Sequence, residues 1–277
     1  MSGKAPVTVR WVHTNKGDDI TPNMRARLVA REMKNAGDES IFAPTPPLET
    51  LRTVLSLATT RLPGQSARCR DPDSDERIQI SLVDISRAYF NARIDQSRDE
   101  DQTFVELPPE HPRYGQGLCG RLLRHMYGTR HAAQGWQEEY SATLLLMGFT
   151  QGLACPCIFF HAERNLYCTI HGDDFTTTGT KTNLDWFEST LSGYYELTKG
   201  GRLGPGANDD KRGIILNRVI RWTSSGVEYE ADPRQAERLL EECGLEGANS
   251  VATPGVKLLA AQHENDEELP AAETTAY

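Results

Sequence analysis

The order of short apolar runs predicts an α+β fold with antiparallel strands, and three observations carry that reading. A strand-like pair, 10–14 and 25–31, opens the chain. A long helical stripe over 132–147 is followed by two closely spaced strands, 158–161 and 166–171, and a third, 175–178. Strands and helices mix without internal repeat and without the strand–helix–strand series of a doubly wound sheet.

Each element has a local reason. The connector Asn15-Lys16-Gly17-Asp18 has turn chemistry, so the opening pair reads as a β-hairpin. Thr45-Pro46-Pro47 opens a helix, with Thr45 placed to cap it and Leu48, Leu51, Val54, Leu55 and Ala58 at helical spacing. Residues 68–76 are a polar loop. Residues 78–82 alternate with period two and run into Val83 and Asp84, which predicts a half-buried strand. Over 132–147, Trp136, Tyr140, Leu144 and Met147 form one stripe and Gly148 is the stop. A tight Gly172-Asp173-Asp174 turn joins the next strands, and 184–194 reads as a helix. Residues 214–222 and 227–229 read as a hairpin across Ser224-Ser225-Gly226. Asp232-Pro233-Arg234-Gln235 has the capping-box arrangement of a last helix, ended by Gly244. From Ala260 onward the chain is rich in Ala, Glu and Asp without periodicity, which predicts a disordered tail or the cut end of a longer polypeptide.

Composition narrows the class. The 277 residues are 38% hydrophobic and 25% charged, enough for one large core or two smaller ones. No run approaches the roughly 18 apolar residues of a membrane helix, and residues 1–9 lack a secretory h-region. The reading is an intracellular protein with no membrane partner. Cys69, Cys119, Cys155, Cys157, Cys168 and Cys243 are irregularly spaced and read as reduced thiols. The group Cys155, Cys157, His161 and Cys168 fits no standard zinc spacing. A formal net charge of -9 and a pI near 5.3 argue against a module that binds nucleic acid by bulk charge. Cations still crowd locally, at Arg10, Lys16, Arg25, Arg27, Arg31 and Lys34 and again at Arg113, Arg121, Arg124 and Arg130, so a local basic channel is compatible with the global sign.

Two carboxylate sites carry the candidate chemistry. Asp84 ends an apolar strand, and Asp173 and Asp174 are adjacent at a strand–turn–strand tip. Rigid flanking strands let such carboxylates converge, and hard oxygen ligands suit Mg²⁺, which recruits substrate phosphates for the rest of its shell. The plainer alternative for each is turn or cap chemistry.

The flanking residues are specific. Leu82-Val83-Asp84-Ile85-Ser86-Arg87-Ala88-Tyr89-Phe90-Asn91 resembles the first catalytic motif of copia-type LTR-retrotransposon reverse transcriptases. Ile170-His171-Gly172-Asp173-Asp174-Phe175 with Gly179 resembles their paired-Asp box. Trp11-Val12 and Arg25-Ala26-Arg27-Leu28-Val29-Ala30 are similar to the family's fingers hairpin, and Phe42-Ala43-Pro44 to the stretch after it. Glu106-Leu107-Pro108-Pro109 and Cys119-Gly120-Arg121-Leu122 are similar to its next segment, and residues 127–136 to its Tyr-Gly and Ala…Trp pattern. Thr253-Pro254 resembles the boundary after the thumb. The likeness spans roughly 10–255, with the motifs in the family's order.

That resemblance implies a right-hand polymerase fold: a tail 1–9, fingers 10–65, a palm 66–195, a thumb-like region 196–255, and an acidic tail or truncated connection 256–277. It implies an RNA-directed DNA polymerase in which Asp84, Asp173 and Asp174 hold two Mg²⁺ ions, with Mn²⁺ as substitute. Tyr89 is expected under the incoming deoxyribose, and Arg27, with Lys16 or Arg25, on the triphosphate. His131, Gln134, His171 and Gly172 fall where the family meets template, primer or nucleotide. The implied partners are an RNA or DNA template with primer, dNTPs, and RNase H and integrase portions of one polyprotein, in a cytoplasmic virus-like particle or the nucleus.

Departures from the family are confined. His171-Gly172 stand where the family has an aromatic and then an apolar residue, Ala133 replaces a Pro, and Ala92 replaces a Gly. Glycine at that turn is expected to loosen it. The rival reading is a truncated, non-polymerising remnant with weak nucleic-acid binding. A metal-dependent phosphohydrolase lacks a well-placed general-base His.

Overall fold

The computed structural model describes residues 5–17, 20–33, 41, 43–61, 65–97, 102–231 and 233–251. In chain order the elements are β1 (Val9–Asn15), β2 (Met24–Ala30), α1 (Leu48–Thr59), β3 (Ile78–Ile85), β4 (Phe104–Glu106), β5 (Cys119–Arg121), α2 (Ala132–Leu146) and β6 (Thr150–Gln151). After these come β7 (Ile158–His161), β8 (Leu166–His171), β9 (Asp174–Thr180), α3 (Lys181–Leu191), β10 (Leu197–Leu203), β11 (Arg212–Ile215), β12 (Arg218–Thr223), β13 (Gly226–Tyr229) and α4 (Pro233–Glu242). This is the mixed helix and antiparallel-sheet architecture expected. Phe42, Asp232, Thr253-Pro254 and the acidic tail lie outside the described residues.

The centre is a six-stranded sheet in the order β10-β3-β9-β8-β7-β6, every pairing antiparallel. Side chains alternate across a strand, so each face collects its own core. Val83, Ile85, Cys168, Ile170 and Phe175 pack with Trp136, Tyr140 and Leu144 of α2 and Leu184, Phe187 and Leu191 of α3. Ile78, Ile80 and Leu82, from the opposite face, pack with Leu51, Leu55 and Ala58 of α1 and with Ile215 and Ile220. Both faces being covered, β3 is buried almost throughout rather than half-buried.

Several expectations shift. The connector of the first hairpin runs from Lys16 to Asn23, longer than a tight turn, and Asn15 Oδ1 accepts from Gly17 N at 3.0 Å and Asn23 N at 2.9 Å. Thr45 does not cap α1. Pro47 occupies that position with no side-chain hydrogen bond, because the two prolines hold the chain extended until Leu48. α3 starts at Lys181, three residues before the expected Leu184, because Thr180 caps it by accepting from Asn183 N. The run 214–222 is two strands, broken by Leu216 and Asn217 with φ of 50° and 62°, the pattern of a type I′ hairpin turn.

Residues 1–231 form one compact unit and 232–277 another. Within the second, α4 is amphipathic, with Leu239 and Leu240 exposed.

Candidate active site

β3 and β9 lie side by side, and their register sets Asp84 directly opposite Asp174. Ile85 N donates to the Asp173 carbonyl at 2.9 Å. Asp84 and Asp174 therefore share one face of the sheet, where directly opposed Cβ atoms come within about 4.5–5.5 Å. His171 pairs with Asp174 from β8, and Thr198 pairs with Asp84 from β10. A row of polar residues thus crosses four strands at the end where the β8–β9 hairpin closes.

Asp173 occupies that turn with Gly172. Gly172 has a φ of 65° and Asp173 does not share the positive sign, as in a hairpin turn that demands glycine at its first central position. The Gly172 carbonyl accepts a 2.8 Å hydrogen bond from Trp136 Nε1, fixing the tip to α2. The expectation that glycine loosens this turn is corrected: glycine meets the conformation required, and the indole pins it. Trp136 was legible only as a core residue. Its polar handle, which a buried indole normally satisfies, was the signal for the second role.

Electrostatics record the crowding. Burial and the charge of Asp173 push the Asp84 carboxyl up, while Arg25, Arg27 and Lys16 pull it down. Asp174 is pushed to about 6 by burial, then by Asp173 and Asp84, with His171 opposing. Arg25, Arg27 and Lys16 therefore lie close enough to bias Asp84. Among the described residues no ion pair neutralises any of the three acids. Among the same residues no trio of His, Cys, Asp or Glu makes a closed metal-binding set. Asp84 and Asp174 fit the kind of centre in which one or two carboxylates share a Mg²⁺ ion with substrate phosphates, not an all-protein cage.

Tyr89 reaches the same corner. After β3 the chain reverses at Arg87 (φ 55°) into a short 3-10 turn, Ala88–Asn91, and Arg87 pairs with Glu196. Tyr89 lies edge-on to Tyr127 at 4.8 Å between centroids, and the Arg27 guanidinium is 5.7 Å from the Tyr127 ring. Burial first and Asp173 second push both tyrosine hydroxyls up. Tyr127 was missed in the sequence as a neighbour of the acids, although it begins the Tyr-Gly pair. Gly128 explains that pair: with φ 83°, it brings its Cα so close to β2 that a Cβ would lie 2.0 Å from the Ala30 carbonyl. Ala30 N donates to the Tyr127 carbonyl at 2.8 Å, docking the hairpin base beside the acids.

His131 and Gln134 share a cavity that none of the three acids lines. It has a volume of 320 Å³ and is also lined by Arg93, His125 and Glu138, and Gln134 Nε2 donates to Glu138 Oε1 at 2.9 Å. Cys157 and Cys168 are buried, and burial raises their thiols to about 11 and about 12. No helix among the described residues is long and apolar enough to cross a membrane.

Comparison with known proteins gives the family. The chain is 23% identical over 262 residues to the retrovirus-related Pol polyprotein from transposon TNT 1-94 of Nicotiana tabacum. The alignment covers 91% of this chain and 18% of that relative, so the chain spans about a fifth of its length. A family model described as reverse transcriptase (RNA-dependent DNA polymerase) matches residues 1–205. With the acid-bearing strands and the hairpin docked beside them inside that match, the chain belongs to the reverse transcriptase family, in its copia-type retrotransposon branch.

Proposed function

We propose that this chain is the polymerase segment of a copia-type retrotransposon polyprotein, extending a primer 3′-hydroxyl with dNTPs on an RNA or DNA template. The observation that carries the reading is the direct pairing of Asp84 with Asp174, with Asp173 at the adjoining tip and the cations Arg25, Arg27 and Lys16 acting on Asp84. In this reading residues 10–65 are fingers, 66–195 palm and 196–255 a thumb-like region, whose first strand, β10, pairs with β3.

The roles follow from placement. Asp84, Asp173 and Asp174 would together hold two divalent ions, Mg²⁺ or in its place Mn²⁺. When bound, the ions lower the pKa of the attacking hydroxyl and balance charge on the leaving pyrophosphate. Arg27, Arg25 and Lys16 bind the triphosphate by charge-assisted hydrogen bonds, and Tyr89 supports the sugar and disfavours a 2′-hydroxyl. His171 and Gly172 face the primer end, and His131 and Gln134 meet the nucleic acid from their own cavity. RNase H and integrase portions of a polyprotein are the partners, in a cytoplasmic virus-like particle or the nucleus.

Primer extension on an RNA template with Mg²⁺ and then Mn²⁺, comparing the chain with Asp173→Asn, tests the reading. Extension that disappears in the variant is expected. No extension from the folded chain with either metal overturns polymerisation by this segment and favours the remnant.

A further inference from the structure

One cavity lies away from the acids. It has a volume of 590 Å³ and opens where the end of α1, the 67–70 turn and the β12–β13 hairpin meet, with Ile78 in its wall. Ile78 begins β3 and Asp84 nearly ends it, so six residues of strand, about 20 Å, separate cavity and acids. The volume is in the range of small-molecule sites, roughly 300–1,000 Å³.

Its charged lining is of one sign. Among the described residues, Arg70 and Lys211 are the cations in the wall, and no carboxylate lines it. The cations beside them are committed elsewhere: Arg68 pairs with Glu76, and Arg77 holds Asp209 through two 2.8 Å bonds. Arg70 and Lys211 have no such partner among the described residues, in a chain where Asp and Glu outnumber Lys and Arg by 39 to 30. Arg70 Nη1 donates to the Ala58 carbonyl at 3.3 Å, while Nη2 is buried and has no acceptor. Lys211 Nζ donates to the Gly204 and Gly206 carbonyls, each at 2.7 Å, leaving one ammonium hydrogen. A buried guanidinium nitrogen without an acceptor costs stability, and a bound anion removes that cost. The wall also carries the Trp222 indole and the hydroxyls of Thr223 and Ser225.

We propose that this cavity binds a nucleotide phosphate, with the phosphate between Arg70 and Lys211 and the base against the Trp222 indole. Planar guanidinium and a point ammonium together suit a phosphate dianion. An indole face accepts any base. The site is independent of the polymerase reading, because neither the three acids nor the β1–β2 cations line it.

Fluorescence titration of the full chain in EDTA tests it, with dAMP as the probe and Trp222→Phe identifying the responding indole. A saturable change that Trp222→Phe abolishes is expected. Affinity should fall about tenfold in Arg70→Gln and in Lys211→Gln, the loss of one charge-assisted contact, and stay unchanged in Asp84→Asn. A short single strand with and without a 5′-phosphate separates the sources: tighter binding of the phosphorylated strand than of dAMP assigns the site to strand ends, and the reverse assigns it to free nucleotides. Should Arg70→Gln fail to fold, Lys211→Gln and competition by inorganic phosphate decide. A folded chain showing no saturable response to any probe overturns the proposal. So do affinities that both cation variants leave unchanged.

Discussion

Asp174 combines ladder neighbour and charge neighbour in one residue. Its carboxyl titrates near 6 in the fold against about 3.9 in an unfolded chain. The folded state therefore holds the extra proton between those values, so stability falls as pH rises through that window and the cost is complete above 6. Asp174→Asn is expected to stabilise the metal-free protein at pH 7 by about 1 kcal/mol, after allowance for solvent screening at a half-buried site. Its melting temperature should exceed that of the parent at pH 7 and converge with it near pH 4. The same substitution should weaken metal-dependent extension, so stability and activity move in opposite directions.

Asp209 shows the opposite sign. Its side chain is 4% exposed and accepts from Arg77, from Gln79 Nε2 at 2.6 Å and from Gly206 N at 2.9 Å. Against the cost of burial, these donors hold its carboxyl down at about 2. That contribution is present above the unfolded value near 4 and is lost as pH falls through 2. Asp209→Asn should cost about 2–3 kcal/mol at pH 7, read by urea unfolding, with the gap to the parent narrowing below pH 3.

At the scale of elements, the strands around the acids were legible and the caps and turns were less so. The runs 158–161 and 166–171 match β7 and β8 because an apolar alternation closed by turn residues has few other readings. β10 went unread: Gly200 and Gly201 interrupt its pattern where the ladder shifts register between Lys199 and Gly201, a bulge that only the partner strand reveals. The turn at Leu216 was hidden because leucine rarely takes positive φ, and Ile214, Ile215, Val219 and Ile220 around it are β-formers. For the site itself, the acids, Tyr89 and the hairpin cations were visible as motif residues. The docking role of Gly128 was not, since it depends on how closely β2 passes. Gly128→Ala should therefore separate the hairpin from the Tyr127–Gly128 segment. Hydrogen exchange at Ala30 should rise sharply and extension should fall at least tenfold, while the far-UV spectrum is kept.

For the whole molecule, the charge of -9 and the local basic edge make opposing demands. Bulk charge repels a polyanion at long range, whereas Lys16, Arg25 and Arg27 attract it at close range. Template–primer binding should therefore depend on salt with a slope near −3, small for a polymerase, and Arg25→Ala should reduce its magnitude by about one. A slope that Arg25→Ala leaves untouched would place the nucleic acid elsewhere.

The hairpin of β1 and β2 has a mechanical side as well. Ala30 N to the Tyr127 carbonyl, Glu32 N to the Gly128 carbonyl and Val7 N to the Phe104 carbonyl anchor one end, and Trp11 Nε1 bonds Glu110 a little further out. From that anchored end the two seven-residue strands run about 23 Å as a beam. A pivot of about ten degrees at the clamp carries Lys16 through about 4 Å while Arg27, nearer the anchored end, travels less. One small hinge angle is thereby geared into unequal strokes, long for the outermost cation and short for the one above Tyr127.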